Sequence, residues 1–143
     1  MLQSVKDQVR DPQIAALLEL SIFPDPEHLE RAISFYEEHS EAQLFAYEEG
    51  GDRIGIVGFK PSGEGEITLT HIAVEPSSRG GGYGRGMLLE LMVQEKPQRV
   101  IAETDEEAVD FYRSVGFAVV SLGISSSGLE RFRCVYEVEE EDE

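Results

Sequence analysis

The first 40 residues carry hydrophobic side chains at the spacing of two short helices. These positions recur three or four residues apart, at Ile14, Leu17 and Leu18 and then at Leu29, Ile33 and Tyr36. Each segment is preceded by an Asp-Pro pair, Asp11-Pro12 and Asp25-Pro26. Aspartate is a favoured N-cap, and proline is favoured at the first helical position. The pattern therefore predicts two helices joined by Phe23-Pro24, the second ending near His39.

From residue 42 the hydrophobic positions alternate with polar ones, a period that is typical of strands. A short strand at Met1–Val5 precedes six others, predicted at Ala42–Glu48, Arg53–Lys60, Glu66–Glu75, Arg99–Glu103, Phe117–Leu122 and Glu130–Val138. Turns are predicted at Glu49–Asp52 and at Pro61–Gly65, and a loop at Gly123–Gly128. The last strand is expected to lie at an edge of the sheet.

Two more helices are predicted between these strands. One follows the glycine cluster Gly80–Gly86, has an apolar face and ends at Lys96-Pro97; the other covers Asp105–Val115, with Asp105 near its cap and Gly116 as its stop. Their core positions are Met87, Leu88, Leu91 and Met92 in the first, and Ala108, Phe111, Tyr112 and Val115 in the second. The order β-α-α-β-β-β-α-β-α-β-β predicts an α/β fold, a mixed sheet with helices packed on it, in one domain over residues 1–143.

Composition excludes several classes of protein. The chain has 143 residues, of which 41% are hydrophobic and 29% charged, so we expect a globular chain with a real core. No apolar run approaches the roughly 18 residues of a membrane helix, and the N-terminus lacks a signal-peptide pattern. A single cysteine, Cys134, and three histidines predict neither a disulfide nor a metal site. We expect a cytoplasmic protein.

The formal net charge of −17 bears on possible partners. Nucleic acids and anionic membranes require a basic surface, which this chain lacks overall, whereas a cationic or amine substrate would be attracted. An acidic surface that only keeps the protein in solution is the alternative. Part of the charge lies in an acidic tail, Glu137–Glu143, which we expect to be solvated.

The glycine cluster is the strongest chemical signal. It follows a strand and opens a helix, and it contains Arg79 and Arg85, which are unusual in so acidic a chain. Free N–H groups at a helix N-terminus bind anions, and glycines let the backbone approach a phosphate. The cluster predicts a pyrophosphate site, with a close-packed structural turn as the alternative. Gly84 is followed by Arg85-Gly86 rather than Lys-Ser/Thr, so a Walker loop is excluded, and the glycine spacing is not that of a dinucleotide fingerprint.

Two blocks of the sequence resemble the GCN5-related N-acetyltransferase (GNAT) family. Arg79-x-x-Gly82-x-Gly84 is similar to the family's acyl-CoA pyrophosphate loop, and the preceding HIAVEP, His71–Pro76, to its fourth strand. Ala108-x-x-Phe111-Tyr112-x-x-x-Gly116-Phe117 resembles a second family block about thirty residues later. The resemblance implies the GNAT fold, a mostly antiparallel sheet of six to seven strands with about four helices.

The resemblance also implies an activity, the transfer of an acetyl group from acetyl-CoA to an amine of a small molecule or peptide. The implied cosubstrate-binding residues are Ile72, Ala73 and Val74, which lie beside the pantetheine arm, and Arg79, Gly80, Gly81, Gly82, Tyr83, Gly84 and Arg85 around the pyrophosphate. In the family a splay between the strand of Ile72–Val74 and the next strand makes room for the arm. A homodimer is a further possibility, because family members often pair through their late strands.

The resemblance assigns the general acid to Tyr112, which would protonate the departing thiolate; a core aromatic pair with Phe111 is the alternative.

The identity of the general base is left open by the sequence. Thr68 stands where histone-acetylating members have a carboxylate, and Glu66, two residues earlier, is the candidate, with Glu75 through water and His71 as alternatives. Asp105 stands where members of the family often have an asparagine that contacts the CoA arm. Cys134 is expected to be structural. The alternative function is a non-catalytic module that binds or senses acyl-CoA.

Overall fold

A computed structural model describes residues 1–22 and 25–138 of the chain. Its strands are β1 (Leu2–Ser4), β2 (Gln43–Glu49), β3 (Asp52–Gly63), β4 (Glu66–Val74), β5 (Arg99–Asp105), β6 (Ala118–Ile124) and β7 (Glu130–Glu137). Its helices are α1 (Pro12–Glu19), α2 (Pro26–Glu38), α3 (Tyr83–Glu95) and α4 (Val109–Val115). The predicted order of elements is confirmed. The linker Phe23-Pro24 and residues 139–143 of the predicted acidic tail lie outside the described residues.

Both predicted starts of the N-terminal helices are confirmed in atomic detail. The carboxylate of Asp11 accepts a hydrogen bond from the Gln13 backbone N–H at 2.9 Å, and that of Asp25 accepts one from His28 at 2.8 Å. These bonds satisfy N–H groups that have no partner inside a helix. The sequence signal and the capping geometry therefore agree at both sites.

The strands form one seven-stranded sheet in the order β1-β2-β3-β4-β5-β7-β6. Pairing is antiparallel from β1 to β3 and among β5, β7 and β6, whereas β4 and β5 run parallel, with partners from Glu66–Arg99 to Thr68–Ile101. The β2–β3 hairpin closes through Gly50 and Gly51, whose φ values of 59° and 88° allow the tight two-residue turn.

Two sequence predictions about the strands are wrong. The turn predicted at Pro61–Gly65 is shorter, because β3 continues to Gly63 and Gly65 alone takes a positive φ of 69°. The last strand is not at the edge: β7 pairs with both β5 and β6, and β6 ends the sheet. The reason is burial, since β7 places Phe132 and Cys134 in the core while almost all of β6 is exposed.

The fourth helix begins later than predicted. Asp105 ends β5, and its carboxylate accepts hydrogen bonds from the N–H groups of Glu107 and Ala108 at 3.0 and 3.3 Å. This cap supports a turn, and α4 starts only at Val109. The predicted stop at Gly116 is confirmed by its φ of 119°, with its N–H bonded to the carbonyls of Tyr112 and Arg113.

The chain divides into two compact units. The first contains Met1–Lys60 and Thr70–Lys96, and the second contains Pro61–Leu69 and the chain from Pro97 onward. The core of the first unit is built from α1, α2, the first strands and Ala73, with Ile14, Leu18, Tyr36, Leu44 and Ile56 at 0–1% exposure. In the second unit the buried residues include Val100, Ala102, Tyr112, Phe117 and Cys134. In the described part of the chain, no helix has the length and apolar character needed to cross a membrane.

Candidate active site

The predicted anion site lies in the first unit, between β4 and α3. A 3₁₀ turn at Pro76–Ser78 follows β4, and Gly82 is the residue that precedes α3. Gly80 and Gly82 have φ values of 87° and 80°, which disfavour a side chain. A Cβ at either position would meet no other atom within 4 Å. The glycines therefore expose backbone to open space, and close packing of the turn does not explain them.

The electrostatics of this turn favour an anion. Helix α3 is 13 residues long, begins without a side-chain cap and has no acidic residue in its first turn. Its first N–H groups and the positive end of its dipole are therefore available. Arg79 and Arg85 are exposed, and neither forms an ion pair with a described residue. The Arg79 Nε atom donates to the Val74 carbonyl at 3.0 Å, which ties this side chain to the end of β4.

The β4 segment Ile72–Val74 is held firmly within the same unit. Ala73 is buried, and a Cβ at Gly55 of β3 would be 2.8 Å from the Ala73 carbonyl oxygen and 3.1 Å from the Met87 side chain of α3. Contacts this close require a glycine at position 55. The strand that the resemblance assigns to the pantetheine arm is therefore packed against β3 and α3.

His71, a candidate base, takes part in a partly buried polar cluster that the sequence did not predict. The Tyr36 hydroxyl lies 2.5 Å from the His71 Nδ1 atom and 2.6 Å from the Thr70 hydroxyl. Burial lowers the pKa of His71 to about 4, so the imidazole is neutral near pH 7. The sequence pattern predicted Tyr36 on the core face of α2. Its contact with His71 could not be predicted in the same way, because the two residues are 35 positions apart in the sequence.

Tyr112 lies in the second unit, on α4, and is 5% exposed. Its ring forms edge-to-face contacts with Phe111 and Phe117, both with ring centroids 5.2 Å apart. Burial raises the pKa of the phenol above its ordinary value of 10, with a smaller contribution from Cys134. The phenol is therefore protonated at physiological pH. Its hydroxyl forms no hydrogen bond with any residue in 1–22 or 25–138, so the O–H group can serve another molecule.

Glu66 is engaged with two partners of the second unit. Its carboxylate accepts a hydrogen bond from the Ser62 hydroxyl at 2.7 Å and lies 3.5 Å from the Arg99 guanidinium. The Thr68 hydroxyl donates in turn to Ser62 at 2.7 Å. The Glu66 carboxylate therefore already has a hydroxyl and a guanidinium group as partners. Glu75, the other candidate, accepts a hydrogen bond from Ser77.

The remaining sequence candidates have structural surroundings. Asp105 caps the turn before α4, as described above. Cys134 is fully buried on β7, and burial raises the pKa of its thiol, which keeps the sulfur in its unreactive protonated form. The expectation that Cys134 is a buried core residue is confirmed.

The chain thus combines a seven-stranded mixed sheet and four helices with an uncapped helix N-terminus behind a glycine turn. The family model described as an acetyltransferase (GNAT) domain matches residues 40–119, more than half of the chain. This protein belongs to the GNAT acetyltransferase family.

Individual relatives agree with the family assignment. An uncharacterised N-acetyltransferase in the lysA 3′ region of Bacillus methanolicus is 36% identical over 72 residues, which are 48% of this chain. The match spans 60% of that relative, less than two thirds of its length. A GNAT-family structure from Desulfovibrio desulfuricans superposes with a TM-score of 0.77 at 24% identity, over 96% of this chain and 98% of that one.

A second solved structure has acetyl-CoA bound. It is a GNAT family acetyltransferase from Elizabethkingia anophelis, with a TM-score of 0.72 and 15% identity, covering 96% of this chain and 97% of that one. At such identities the structural likeness establishes the shared fold, and the predicted α/β GNAT architecture with seven strands and four helices is confirmed.

Proposed function

We propose that this chain transfers an acetyl group from acetyl-CoA to a primary amine of a small molecule or peptide. The observation that carries the proposal is the uncapped N-terminus of α3, with Gly80 and Gly82 open to solvent and Arg79 and Arg85 beside it. In a member of the GNAT family this is a fitting site for the pyrophosphate of CoA.

The residues present fit this ligand. Backbone N–H groups from Gly80 to Gly84, including Gly81 and Tyr83, would hold the pyrophosphate, and Arg79 and Arg85 would add charge-assisted contacts. The segment Ile72–Val74 would lie beside the pantetheine arm, as the family resemblance implies. When bound, acetyl-CoA supplies the activated acetyl group, and the protein supplies position, hydrogen bonds and protons.

We assign the proton chemistry to Tyr112 and Glu66. Tyr112 carries a protonated phenol without a hydrogen-bond partner in the described part of the chain, and it would give its proton to the departing sulfur. Glu66 would accept a proton from the amine through water. The Arg99 and Ser62 contacts of Glu66 make this second assignment the weaker of the two.

We propose that the acceptor is cationic. The chain carries a formal net charge of −17, which attracts positively charged molecules over long distances. Within the first unit an open groove of about 490 Å³ along α2 is lined by Glu27, Glu30, Glu38 and Phe35 among others. Glu27 and Glu30 pair with Arg31 and Arg10, whereas Glu38 forms no ion pair with a described residue. The Phe35 ring already has the Lys60 ammonium group 5.8 Å from its centroid, so within this groove Glu38 is the carboxylate that would meet an added cation.

Two measurements test the proposed function. Titration calorimetry shows whether acetyl-CoA binds, and release of the CoA thiol in the presence of a panel of amines shows whether turnover occurs. The panel should include polyamines, amino sugars, lysine peptides and peptides with free N-termini. Binding without turnover for every amine would favour the non-catalytic acyl-CoA module. Absence of binding would refute both readings.

A homodimer and a cytoplasmic location stay predictions. The exposed end of the sheet is β6, where Val120, Leu122 and Ile124 are 62%, 51% and 69% exposed. An unpaired strand edge with apolar side chains is a favourable place for a second copy to pair. Light scattering of the parent chain and of a Leu122→Lys variant measures the assembly. A monomeric parent would refute the dimer.

A further inference from the structure

The cluster of Tyr36, Thr70 and His71 has a use beyond packing. Tyr36 comes from α2 and the other two residues from β4, and the Tyr36 side chain is 1% exposed. Its hydroxyl fits because β3 has a glycine at position 58, where a Cβ would lie 1.8 Å from the Tyr36 oxygen. The fold therefore brings a buried phenol to within hydrogen-bond distance of an imidazole nitrogen and a threonine hydroxyl.

The protons of this cluster can be arranged in two ways. Burial raises the pKa of Tyr36, so its hydroxyl keeps one proton to donate. In the first arrangement Thr70 donates to Tyr36 and Tyr36 donates to the His71 Nδ1 atom, which leaves the His71 proton on Nε2. In the second, Nδ1–H donates to Tyr36, Tyr36 donates to Thr70, and Nε2 carries a lone pair.

Hydrogen-bond accounting favours the first arrangement. Each arrangement leaves one donor without a protein partner, the N–H at Nε2 in the first and the Thr70 hydroxyl in the second, because Thr70 has no other side-chain hydrogen bond among the described residues. The second arrangement also leaves the Nε2 lone pair without a donor, whereas the first gives both hydroxyl protons an acceptor. Only the N–H at Nε2 then points away from the cluster without a protein partner.

The Nε2 atom of His71 is accessible to a ligand. It makes no hydrogen bond to a described residue, and no buried side-chain nitrogen or oxygen in 1–22 or 25–138 lacks a partner. An unbonded Nε2 atom must therefore reach the surface of the chain. His71 also precedes Ile72 directly, so it stands at one end of the β4 segment assigned to the pantetheine arm.

We propose that the Tyr36 hydroxyl, by donating to Nδ1, holds His71 as the neutral imidazole with its proton on Nε2, and that this N–H donates a hydrogen bond to a carbonyl oxygen of the acyl-pantetheine arm. The second clause rests on the proposed function, because that function places the arm along β4. A neutral imidazole can stabilise a carbonyl oxygen as it gains negative charge. In this arrangement His71 is a donor, and it cannot accept the proton of the amine at Nε2.

The tautomer is measured on the full chain without any ligand. Long-range ¹H–¹⁵N correlation spectra of the histidine-labelled protein at neutral pH distinguish a protonated from an unprotonated ring nitrogen, and a His71→Gln spectrum identifies the His71 signals. We expect a protonated Nε2 and an unprotonated Nδ1. The Tyr36→Phe variant should lose this preference. Thr70→Val should keep it, because the Tyr36 hydroxyl then still has Nδ1 as its acceptor. A proton on Nδ1 in the parent, or an unchanged tautomer in Tyr36→Phe, would overturn the proposal.

The hydrogen bond to the arm is tested by calorimetry with acetyl-CoA. Glutamine places an amide N–H close to the position of Nε2–H but cannot act as a base, whereas alanine provides neither group. We expect His71→Ala to bind acetyl-CoA roughly three- to tenfold more weakly and His71→Gln to bind within about twofold of the parent. His28→Ala, on the exposed start of α2, is the control and should bind normally.

The outcomes separate the two proposals. Parent-like binding by His71→Ala, or equal weakening of both His71 variants, would refute the donor role while leaving the acetyl-CoA site in place. A parent protein that does not bind acetyl-CoA would refute the proposed function and the donor role together. The tautomer measurement would still decide whether Tyr36 sets the state of His71.

Discussion

Gly58 and Tyr36 fit together so closely that no side chain can stand at position 58. A methyl group built on Gly58 would lie 1.8 Å from the Tyr36 hydroxyl oxygen and 2.8 Å from the Thr70 hydroxyl. The glycine has an ordinary backbone conformation, so the reason for it is space and not φ. Strand β3 therefore makes room for the buried cluster on which the proposed role of His71 depends.

Gly58→Ala should destabilise the protein, because the tyrosine must leave its position and the cluster must lose its hydrogen bonds. We expect the free energy of unfolding to fall by about 1–3 kcal/mol, the usual range for overpacking a core. Urea denaturation measures the change. Gly63→Ala on the same strand is the control, since its Cβ would meet Glu66 at an ordinary 3.6 Å. Equal stabilities of the two variants would contradict the close fit.

Gly82→Val should weaken CoA binding at least tenfold, since a branched side chain would occupy the space where we place the pyrophosphate. The positive φ adds strain of about 1–2 kcal/mol, so a matched control is required. Gly128→Val provides it, because Gly128 has a φ of 86°, also has open space around its Cβ, and lies in the β6–β7 loop. Both variants should lose similar stability, and only Gly82→Val should lose affinity for CoA by calorimetry. Equal affinities would remove the pyrophosphate from this turn.

Local signals in the sequence were sufficient for most of the fold. The Asp-Pro pairs at residues 11 and 25 specify helix starts through neighbours in the chain, and Gly116 specifies a helix end in the same way. The glycine turn before α3 is also a local feature. Each of these predictions depends on groups within a few residues, which is why it survives comparison with the structure.

The errors arise where the local structure is determined by contacts with residues that are far away in the sequence. Asp105 looks like a helix cap in sequence, yet pairing with β7 extends β5 through it, and the helix starts four residues later. The edge position of β6 depends on which strand buries its side chains, which alternation alone does not show. The contact of Tyr36 with His71 joins a helix to a strand 35 residues away, so neither motif nor period could predict it.

Tyr112→Phe should reduce kcat by roughly 100-fold and leave the affinity for acetyl-CoA within about twofold of the parent. The ring contacts with Phe111 and Phe117 survive the change, and only the O–H group is lost. Tyr136→Phe, a half-buried tyrosine of the same unit, is the control for loss of a hydroxyl and should keep its activity. Steady-state kinetics with an amine from the panel gives both parameters. A kcat near the parent value would assign Tyr112 to packing.

Salt should affect the two substrates differently if the acceptor is cationic. At physiological ionic strength the Debye length is roughly 8 Å, so added salt screens the long-range attraction of an acidic protein for an amine. We expect kcat/KM for the amine to fall between low and moderate salt. The value for acetyl-CoA, which is itself anionic, should fall less or rise. A flat or rising value for the amine would show that the charge of −17 does not guide the acceptor.

The burial of His71 predicts how stability depends on pH. Its pKa is lowered from 6.5 to about 4 by burial, with no charged group contributing. Between these values the unfolded chain binds a proton that the folded chain does not, so stability is fully present above pH 6.5 and falls as the pH falls toward 4. At about 1.4 kcal/mol for each pH unit, the loss is up to about 3 kcal/mol.

The His71→Gln variant isolates this contribution from the carboxylates, which titrate in both proteins. Urea unfolding at a series of pH values from 7 to 4 should give a shallower decline for His71→Gln than for the parent, and the difference should develop between pH 6.5 and 4. His39→Gln, at the exposed end of α2, is the comparison for loss of a histidine outside the Tyr36 cluster. Parallel curves for the parent and His71→Gln would mean that the imidazole titrates alike in the folded and unfolded chains. Its burial against Tyr36 would then leave it able to take up protons, as a base for the amine requires.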